Sequence, residues 1–330
     1  MRGFSNSFAD PPDYILKITE QIWEGRDLRS LDHYYAPDLP MRFPSGLVRG
    51  NQAVIDGTLA TLAEFPDRQL LGEDVIWSDD GDGGFLSSHR LVTFGTHLGH
   101  GAYGPPTGKR FEIRAIADCA AKENAIYDEW LVRDVGGIAR QLGWAPADYA
   151  RHLIEREGGP DHATRPFTPA DDVDGGYASR GNDNEWGQRL ADILTRIMDK
   201  DLTVIRAEYD RAVRTEHPGA QGGWSWDFAE RQWMALRTAF PSAKFDIHHV
   251  IGREDSTMPP RAAVRWSLDG THDGFGAFGQ PTGAPVHIMG ITHADFGTLG
   301  AAAPKLRREF TLWDEISIWK QIHLHTGLAQ

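Results

Sequence analysis

The chain has 330 residues, which is enough for about two domains of ordinary size. Its 34 basic and 47 acidic side chains give a formal net charge of −13, so neither a nucleic-acid partner nor an anionic membrane surface is expected. With 40% hydrophobic and 25% charged residues, the composition is that of a soluble globular protein.

The cysteine content and the apolar runs narrow the class further. Cys119 is the single cysteine, which excludes an internal disulfide framework and a multi-cysteine zinc site. No apolar run approaches the roughly 18 residues of a membrane-spanning helix, and residues 1–10 lack the apolar core of a secretory signal. These features predict a cytoplasmic protein.

The first 145 residues predict helices followed by a run of strands. Ile15, Ile18 and Ile22 recur with helical spacing and mark the first amphipathic helix. Helices are predicted over 14–24, 28–35 and 51–65. Strands are predicted over 41–48, 69–77, 85–97, 109–119 and 126–134.

The chain then repeats itself. Residues 95–108 read GTHLGHGAYGPPTG and residues 270–283 read GTHDGFGAFGQPTG, so ten of 14 positions are identical at an offset of 175. Upstream the offset is 174, where Tyr35 meets Tyr209. Downstream it is 180, where Glu129 meets Glu309. Helices of the second copy are predicted over 185–199, 202–212 and 227–240.

Two homologous domains are therefore predicted, over 10–145 and 184–327. Residues 146–183 join them as a short helix near 147–157 and a linker rich in glycine, proline and aspartate. The larger downstream offset predicts about five extra residues in a longer hairpin turn over 297–303.

Helices followed by strands indicate an α+β fold, with the helices on one face of an antiparallel sheet. The other face of each sheet needs a partner, and the duplicate can supply it. We therefore expect the copies to pack sheet to sheet as a pseudo-symmetric dimer inside one chain. Further homo-oligomerisation stays open.

The repeated motif and the strand after it resemble the SnoaL-like polyketide cyclase family, within the nuclear-transport-factor-2-like superfamily. In the first copy that strand reads EWLVRD over 129–134 and is followed by Gln141-Leu142-Gly143. The resemblance covers both copies and implies a cone-shaped α+β barrel, a curved sheet around a conical cavity that helices close. It also implies an intramolecular aldol closure without metal or organic cofactor, with Asp134 as the acid/base and Asp314 as its counterpart.

The two copies differ at positions that bear on this chemistry. Phe310 replaces Trp130, His293 replaces Asp118, and the second copy ends in Gln-Ile-His rather than Gln-Leu-Gly. The chain is also about twice as long as single-domain cyclases of the family. We therefore expect two pockets of different polarity, one of which is a candidate for a degenerate pocket without activity.

The strand over 126–134 carries the main catalytic candidate. Side chains alternate along a strand, so Asp134 should share a face with Trp130 and Asp128. A carboxylate in an aromatic-walled cavity has a raised pKa and suits proton abstraction from carbon. The structural alternative is that Asp134 caps a nearby backbone turn.

The other candidates also have a structural alternative. Arg90 and Arg265 either hold a substrate anion or pair across the domain interface. His97 and His272 either act at the cavity rim or brace the glycine-rich turn, and the surrounding glycines favour the brace. The aromatic candidates for substrate contact are Tyr103, Trp130, Phe278 and Phe310.

His293 is the third catalytic candidate, because it lies where an acid/base pair with Asp314 on the next strand is feasible. Asp118, at the matching position of the first copy, is assigned to substrate binding. No metal site is predicted, since the histidines lack HExxH-type spacing.

Two classes of function remain. The first is a cofactor-independent acid/base enzyme on a small apolar oxygenated substrate, catalysing aldol cyclisation, isomerisation or hydrolysis. The second is a non-catalytic ligand-binding or assembly protein of the same fold. A cavity lined by acid, arginine and histidine favours the enzyme, whereas a purely aromatic cavity favours binding.

Overall fold

The two halves of the chain have the same layered α+β architecture in the computed structural model, which describes residues 1–298 and 303–327. Each half forms one six-stranded sheet with its helices packed on one face. No helix among the described residues is long and apolar enough to span a bilayer.

The first half contains four α-helices and six strands. Its elements are α1 Pro11–Thr19, extended by a π-helical turn Glu20–Glu24, a 3-10 turn Leu28–Ser30, α2 Leu31–Tyr34, β1 Pro40–Phe43, β2 Gly46–Arg49, α3 Asn51–Glu64, β3 Gln69–Asp79, β4 Phe85–Thr96, β5 Arg110–Lys122, β6 Ala125–Arg133 and α4 Val135–Leu142.

The connecting segment begins with α5 Pro146–Arg156, close to the predicted helix, and contains a 3-10 turn Pro169–Asp171. The second half then repeats the first. Its elements are α6 Glu185–Met198, α7 Thr203–Glu208, β7 Tyr209–His217, β8 Gln221–Trp224, α8 Trp226–Ala239, β9 Lys244–Arg253, β10 Arg261–Thr271, β11 Pro285–Gly297, β12 Lys305–Trp313 and α9 Glu315–Thr326.

The strand orders confirm the tandem duplication. The first sheet runs β2-β1-β6-β5-β4-β3 and the second runs β8-β7-β12-β11-β10-β9, so every strand has a counterpart. The pairs β1–β6 and β7–β12 are parallel, which makes both sheets mixed rather than wholly antiparallel as predicted. The domain boundaries over 10–145 and 184–327 stay predictions.

Several predicted elements need correction. The single strand over 41–48 is a hairpin, because the chain reverses between β1 and β2. The helix predicted over 202–212 ends at Glu208, and β7 begins at the next residue, Tyr209. The extra residues of the turn over 297–303 fall largely on 299–302, which lie outside the described residues.

The largest omission is a helix at the end of each copy. The Asp134 side chain accepts from the Gly137 N–H at 2.8 Å and caps α4, and Gly143 ends that helix with a left-handed φ of 105°. Asp314 caps α9 in the same way, from the Ile316 N–H at 2.9 Å. An aspartate before a helical run and a glycine after it are recognisable boundary signals.

The two sheets pack face to face, which confirms the predicted pairing of the copies. An apolar cluster of both copies fills the space between them, with Ile76, Ile116 and Val132 on one side and Ile251 and Ile291 on the other. The opposite face of each sheet meets the helices of its own copy. Each sheet is open, with β2 and β3 at the edges of the first and β8 and β9 at the edges of the second, so neither forms the closed barrel that the resemblance implies. We call the space between each sheet and its own helices the conical interior of that copy.

Candidate functional site

A cavity of about 310 Å³ occupies the conical interior of the first copy. It lies between α1, α3 and the concave face of the first sheet. Most of its wall is apolar, including Ile15, Ile18, Val54, Leu70 and Leu91. An interior of this size and polarity suits a small, mostly apolar ligand.

The alternation of β6 decides which side chains enter this cavity. Glu129, Leu131 and Arg133 line it, whereas Trp130 and Val132 belong to the cluster between the sheets. The prediction that Trp130 and Asp134 project into the cavity is therefore wrong, because the residues next to Trp130 on β6 are the ones that face the cavity. A one-residue shift exchanges the two faces of a strand.

Glu129 is the one carboxylate among the residues that line the cavity. It is 3% exposed and lies opposite Cys119 on β5. The Tyr35 hydroxyl faces its carboxyl group, yet Oε2 is buried without a hydrogen-bond partner among the described residues. Burial raises the pKa of Glu129 to about 8, against the opposing effects of Arg133 and Tyr35.

Basic side chains accompany this carboxyl group. Arg68 donates from Nε to Thr93 Oγ1 at 3.0 Å, and burial lowers its pKa to about 9. Arg133 approaches the Phe43 ring at 5.3 Å, and burial lowers its pKa too. His89 stays neutral near pH 7, because burial, together with Arg90, lowers its pKa to about 3. The cavity thus combines one acid with two guanidinium groups.

The interior of the second copy is filled by three tryptophans. Trp233, Trp266 and Trp313 are buried, with ring centroids 6.1–6.3 Å apart. They stand at the positions of three first-copy cavity residues, Thr58, Leu91 and Arg133. The two interiors therefore differ, and the difference lies at these three positions rather than at the pairs Trp130/Phe310 and Asp118/His293.

The tyrosine and glutamate of the cavity recur in the filled copy. Tyr209 donates its hydroxyl hydrogen to Glu309, and Thr311 donates to the same carboxylate at 2.8 Å. Burial raises the pKa of Glu309 to about 7. The pair is thus common to both copies, while a cavity lies beside it in the first.

Asp134 has the structural role that the sequence offers as the alternative to catalysis, namely capping a backbone turn. Besides capping α4, its carboxylate accepts from Gly219 N–H at 2.8 Å and Ala220 N–H at 2.7 Å in the β7–β8 turn of the second copy. It does not line the first cavity. Asp314 likewise caps its own helix, and burial raises its pKa to about 6. Neither aspartate lies in a conical interior, contrary to the prediction.

The two equivalent arginines lie between the sheets rather than in the pockets. The Arg90 guanidinium stacks on Phe310 at 3.7 Å, and the Arg265 guanidinium stacks on Trp130 at 3.6 Å. Each arginine therefore packs on the aromatic residue of the other copy. These reciprocal cation–π contacts are those expected of the interface alternative.

Asp118 and His293 complete this layer between the sheets. Ser88 Oγ donates to Asp118 at 2.6 Å and accepts from His293 Nε2 at 2.8 Å, which assigns the Nε2–H tautomer. Arg265 Nε also donates to Asp118, at 3.0 Å. Burial lowers the pKa of His293 well below its usual value, and the histidine stays neutral. The predicted His293–Asp314 pair is absent from the hydrogen bonds of the described residues.

The repeated motif forms a matching turn in each copy. His97 Nδ1 lies 3.2 Å from Thr107 Oγ1, and His272 Nδ1 lies 3.0 Å from Thr282 Oγ1. Gly104 has a φ of 95°, which favours glycine. These contacts are those of the bracing alternative.

The aromatic residue of each motif packs into the apolar core. Tyr103 stacks on Tyr149 at 4.7 Å, and Phe278 packs against Phe240 at 5.5 Å. Neither residue lines the first cavity.

Sequence reasoning missed Glu129, Tyr35 and Arg133 as site residues. A signal for the first two existed, because both recur in the second copy as Glu309 and Tyr209. We find no group of three or more potential metal ligands within residues 1–298 and 303–327.

Comparison with solved structures gives several similar chains. IdmH from Streptomyces antibioticus, a proposed polyketide cyclase, is 28% identical over 41% of this chain and 99% of its own, with a TM-score of 0.36. A proposed SnoaL-like polyketide cyclase from Jannaschia sp. CCS1 is 16% identical over 43% of this chain and 96% of its own, with a TM-score of 0.35. TsrD from Streptomyces laurentii is 23% identical over 41% of this chain and 98% of its own, with a TM-score of 0.35.

A search of curated proteins found no match to the chain. The family model described as SnoaL-like polyketide cyclase matches residues 14–142, which include the whole first sheet, its cavity and α4. Residues 14–142 are therefore similar to the SnoaL-like polyketide cyclase family, and the second half of the chain repeats the topology of the first.

Proposed function

We propose that the first copy is an acid/base enzyme for a small apolar oxygenated substrate, such as a ketone or a polyketide-like compound. The observation that carries this proposal is the buried Glu129 carboxyl in an otherwise largely apolar cavity. The match of residues 14–142 to the SnoaL-like polyketide cyclase family supports the same class of chemistry. The second copy serves as its structural partner.

Glu129 is suited to move a proton between carbon and oxygen. Its pKa of about 8 leaves both protonation states populated near neutral pH. The ionised carboxylate would take a proton from the carbon beside a substrate carbonyl, which leaves an enolate. Arg68 would stabilise that negative charge in a medium of low polarity. The protonated Glu129 would then return the proton to carbon or oxygen.

The test is solvent exchange, which requires proton abstraction but no knowledge of the complete reaction. A panel of enolisable aromatic and terpenoid ketones is incubated with the protein in D₂O, and loss of the α-proton signal is followed by NMR. We expect catalysed exchange for at least one panel member. Ligands that bind without any catalysed exchange would instead establish the binding protein.

The filled second copy leads to a prediction about stoichiometry. A panel ketone should bind with one equivalent per chain, because Trp233, Trp266 and Trp313 occupy the second interior. Isothermal titration calorimetry gives this number directly. Two equivalent sites per chain would contradict the assignment of the second copy as filled.

A further inference from the structure

Arg133 lies in the wall between two cavities. It lines the conical cavity of the first copy and also a second cavity of about 390 Å³ between the copies. We call this second cavity the inter-copy groove. One side of the groove is the β1–β2 turn, and the other is the start of α9 with Asp314, Ser317 and Lys320.

The guanidinium of Arg133 makes no hydrogen bond or ion pair within residues 1–298 and 303–327. It lies 5.3 Å from the centre of the Phe43 ring, and the Glu129 carboxyl group is near enough to interact with it electrostatically. The neighbouring polar groups differ in this respect. Lys320 Nζ pairs with Glu157 at 2.7 Å, and Arg68 Nε donates to Thr93. Arg133 is therefore a cation in the wall of both cavities whose N–H donors remain available.

An unpaired guanidinium in a mostly apolar site is costly unless a ligand or water satisfies its donors. Its planar fork matches the two oxygens of a carboxylate and can bind them with two parallel hydrogen bonds. Arg68 adds a second positive charge nearby. The apolar cavity beside it suits the rest of such a ligand.

We infer that Arg133 binds the carboxylate of an amphiphilic ligand whose apolar body occupies the first cavity. This inference deepens the proposed function, since it assigns a substrate class to the same site. The ligand would place its apolar body beside Glu129 and its charged end at the boundary with the inter-copy groove.

The second copy contributes to this subsite through Asp314. The Asp314 carboxyl group lines the groove and lies close enough to Arg133 to favour the charged form of the guanidinium group. It competes electrostatically with a bound anion. Asparagine caps a helix about as well as aspartate, so Asp314→Asn removes the charge while the start of α9 is kept.

The test compares two probes with the same ring system, the anion 2-naphthoate and the neutral ketone 2-acetylnaphthalene. Dissociation constants for the full chain are measured by calorimetry at fixed pH and salt. Wild-type protein should bind 2-naphthoate, and Arg133→Gln should weaken that binding at least about tenfold while the ketone is affected less than about threefold. Asp314→Asn should strengthen 2-naphthoate binding severalfold.

Two further variants separate the subsite from general effects. Arg110→Gln removes an exposed arginine on β5 and should leave both probes unchanged. Arg133→Lys keeps the charge without the fork and should restore part of the 2-naphthoate affinity. Retained binding of 2-acetylnaphthalene by Arg133→Gln reports that the cavity is intact.

Three results would overturn the inference: no 2-naphthoate binding by wild-type protein at millimolar concentration, equal losses for both probes in Arg133→Gln, or an unchanged anion affinity in that variant. In the last case water satisfies the guanidinium. None of these results bears on Glu129, whose role is measured by proton exchange, so the two proposals can fail independently.

Discussion

Glu129→Gln is expected to lower the rate of ketone α-proton exchange by at least about 100-fold, the usual contribution of a positioned general base. Glutamine keeps the size of the side chain and its place opposite Cys119, but it cannot accept the proton. Ligand affinity should change little, because the apolar wall of the cavity is untouched. The rate is measured by NMR in D₂O and the affinity by calorimetry on the same ketone.

The chain supplies its own control for this substitution. Glu309 is the equivalent glutamate, buried against Tyr209 in the filled interior. Glu309→Gln should therefore leave the exchange rate at the wild-type value. Equal losses in both variants would indicate a structural effect of replacing a buried carboxyl group, and full activity of Glu129→Gln would remove Glu129 from the mechanism.

The pH dependence of exchange follows from the same carboxyl group. Burial raises the pKa of Glu129 to about 8, so its basic form increases as the pH rises through that value. The wild-type rate should therefore increase with pH and level off above about 8, whereas the residual rate of Glu129→Gln should lack this step. A plateau that begins below about pH 5 would contradict the assignment.

Asp134→Ala is expected to destabilise the protein by about 3 kcal/mol or more. Its carboxylate accepts from three backbone N–H groups, of Gly137, Gly219 and Ala220, and two of these belong to the second copy. The substitution removes a helix cap and leaves the buried Gly137 and Gly219 N–H groups unsatisfied, each of which costs about 1–3 kcal/mol. Urea unfolding followed by tryptophan fluorescence measures the loss.

Asp314→Ala is the matched comparison for Asp134→Ala. Its carboxylate accepts from one backbone N–H and from Ser317 Oγ, without a contact to the other copy's backbone. We therefore expect a smaller loss, of about 1 kcal/mol. If Asp134→Ala instead kept full stability and lost proton exchange, the catalytic interpretation of Asp134 would be reinstated.

Fold class and duplication were predictable because their signals are long. The 14-residue motif occurs twice, and the order of helices and strands is set by periodicity and by turn residues over whole segments. Errors of element type arose at short segments. The sequence pattern predicts one strand where β1 and β2 form a hairpin, and a helix that continues into β7, because a few residues carry little periodic information.

The site residues were harder to predict because the sheet is buried on both faces. Along β6 one face carries Glu129 and Arg133, and the other carries Asp128 and Trp130, so neither face is recognisable as the cavity side from polarity. A strand over 126–134 places Asp134 on the same face as Trp130, but Asp134 in fact caps α4. The aspartate cap and Gly143 were the signals that would have ended the strand one residue earlier.

The divergence of the copies was predictable in kind, although the positions were not identified. The differences between Trp130 and Phe310 and between Asp118 and His293 predict pockets of different polarity, but all four residues lie between the sheets. The second interior is filled by tryptophans at the positions that correspond to Thr58, Leu91 and Arg133 of the first copy. Recognising them requires knowing which faces of α3, β4 and β6 meet in the cone.

A crystal structure of the full chain soaked with the most tightly bound panel ketone tests the central claim most directly. The account predicts one ligand, inside the first conical cavity, with its carbonyl end within hydrogen-bonding reach of Glu129 and with the three tryptophans still filling the second interior. A ligand bound in the second copy, or at another site while the first cavity stays unoccupied, would contradict it.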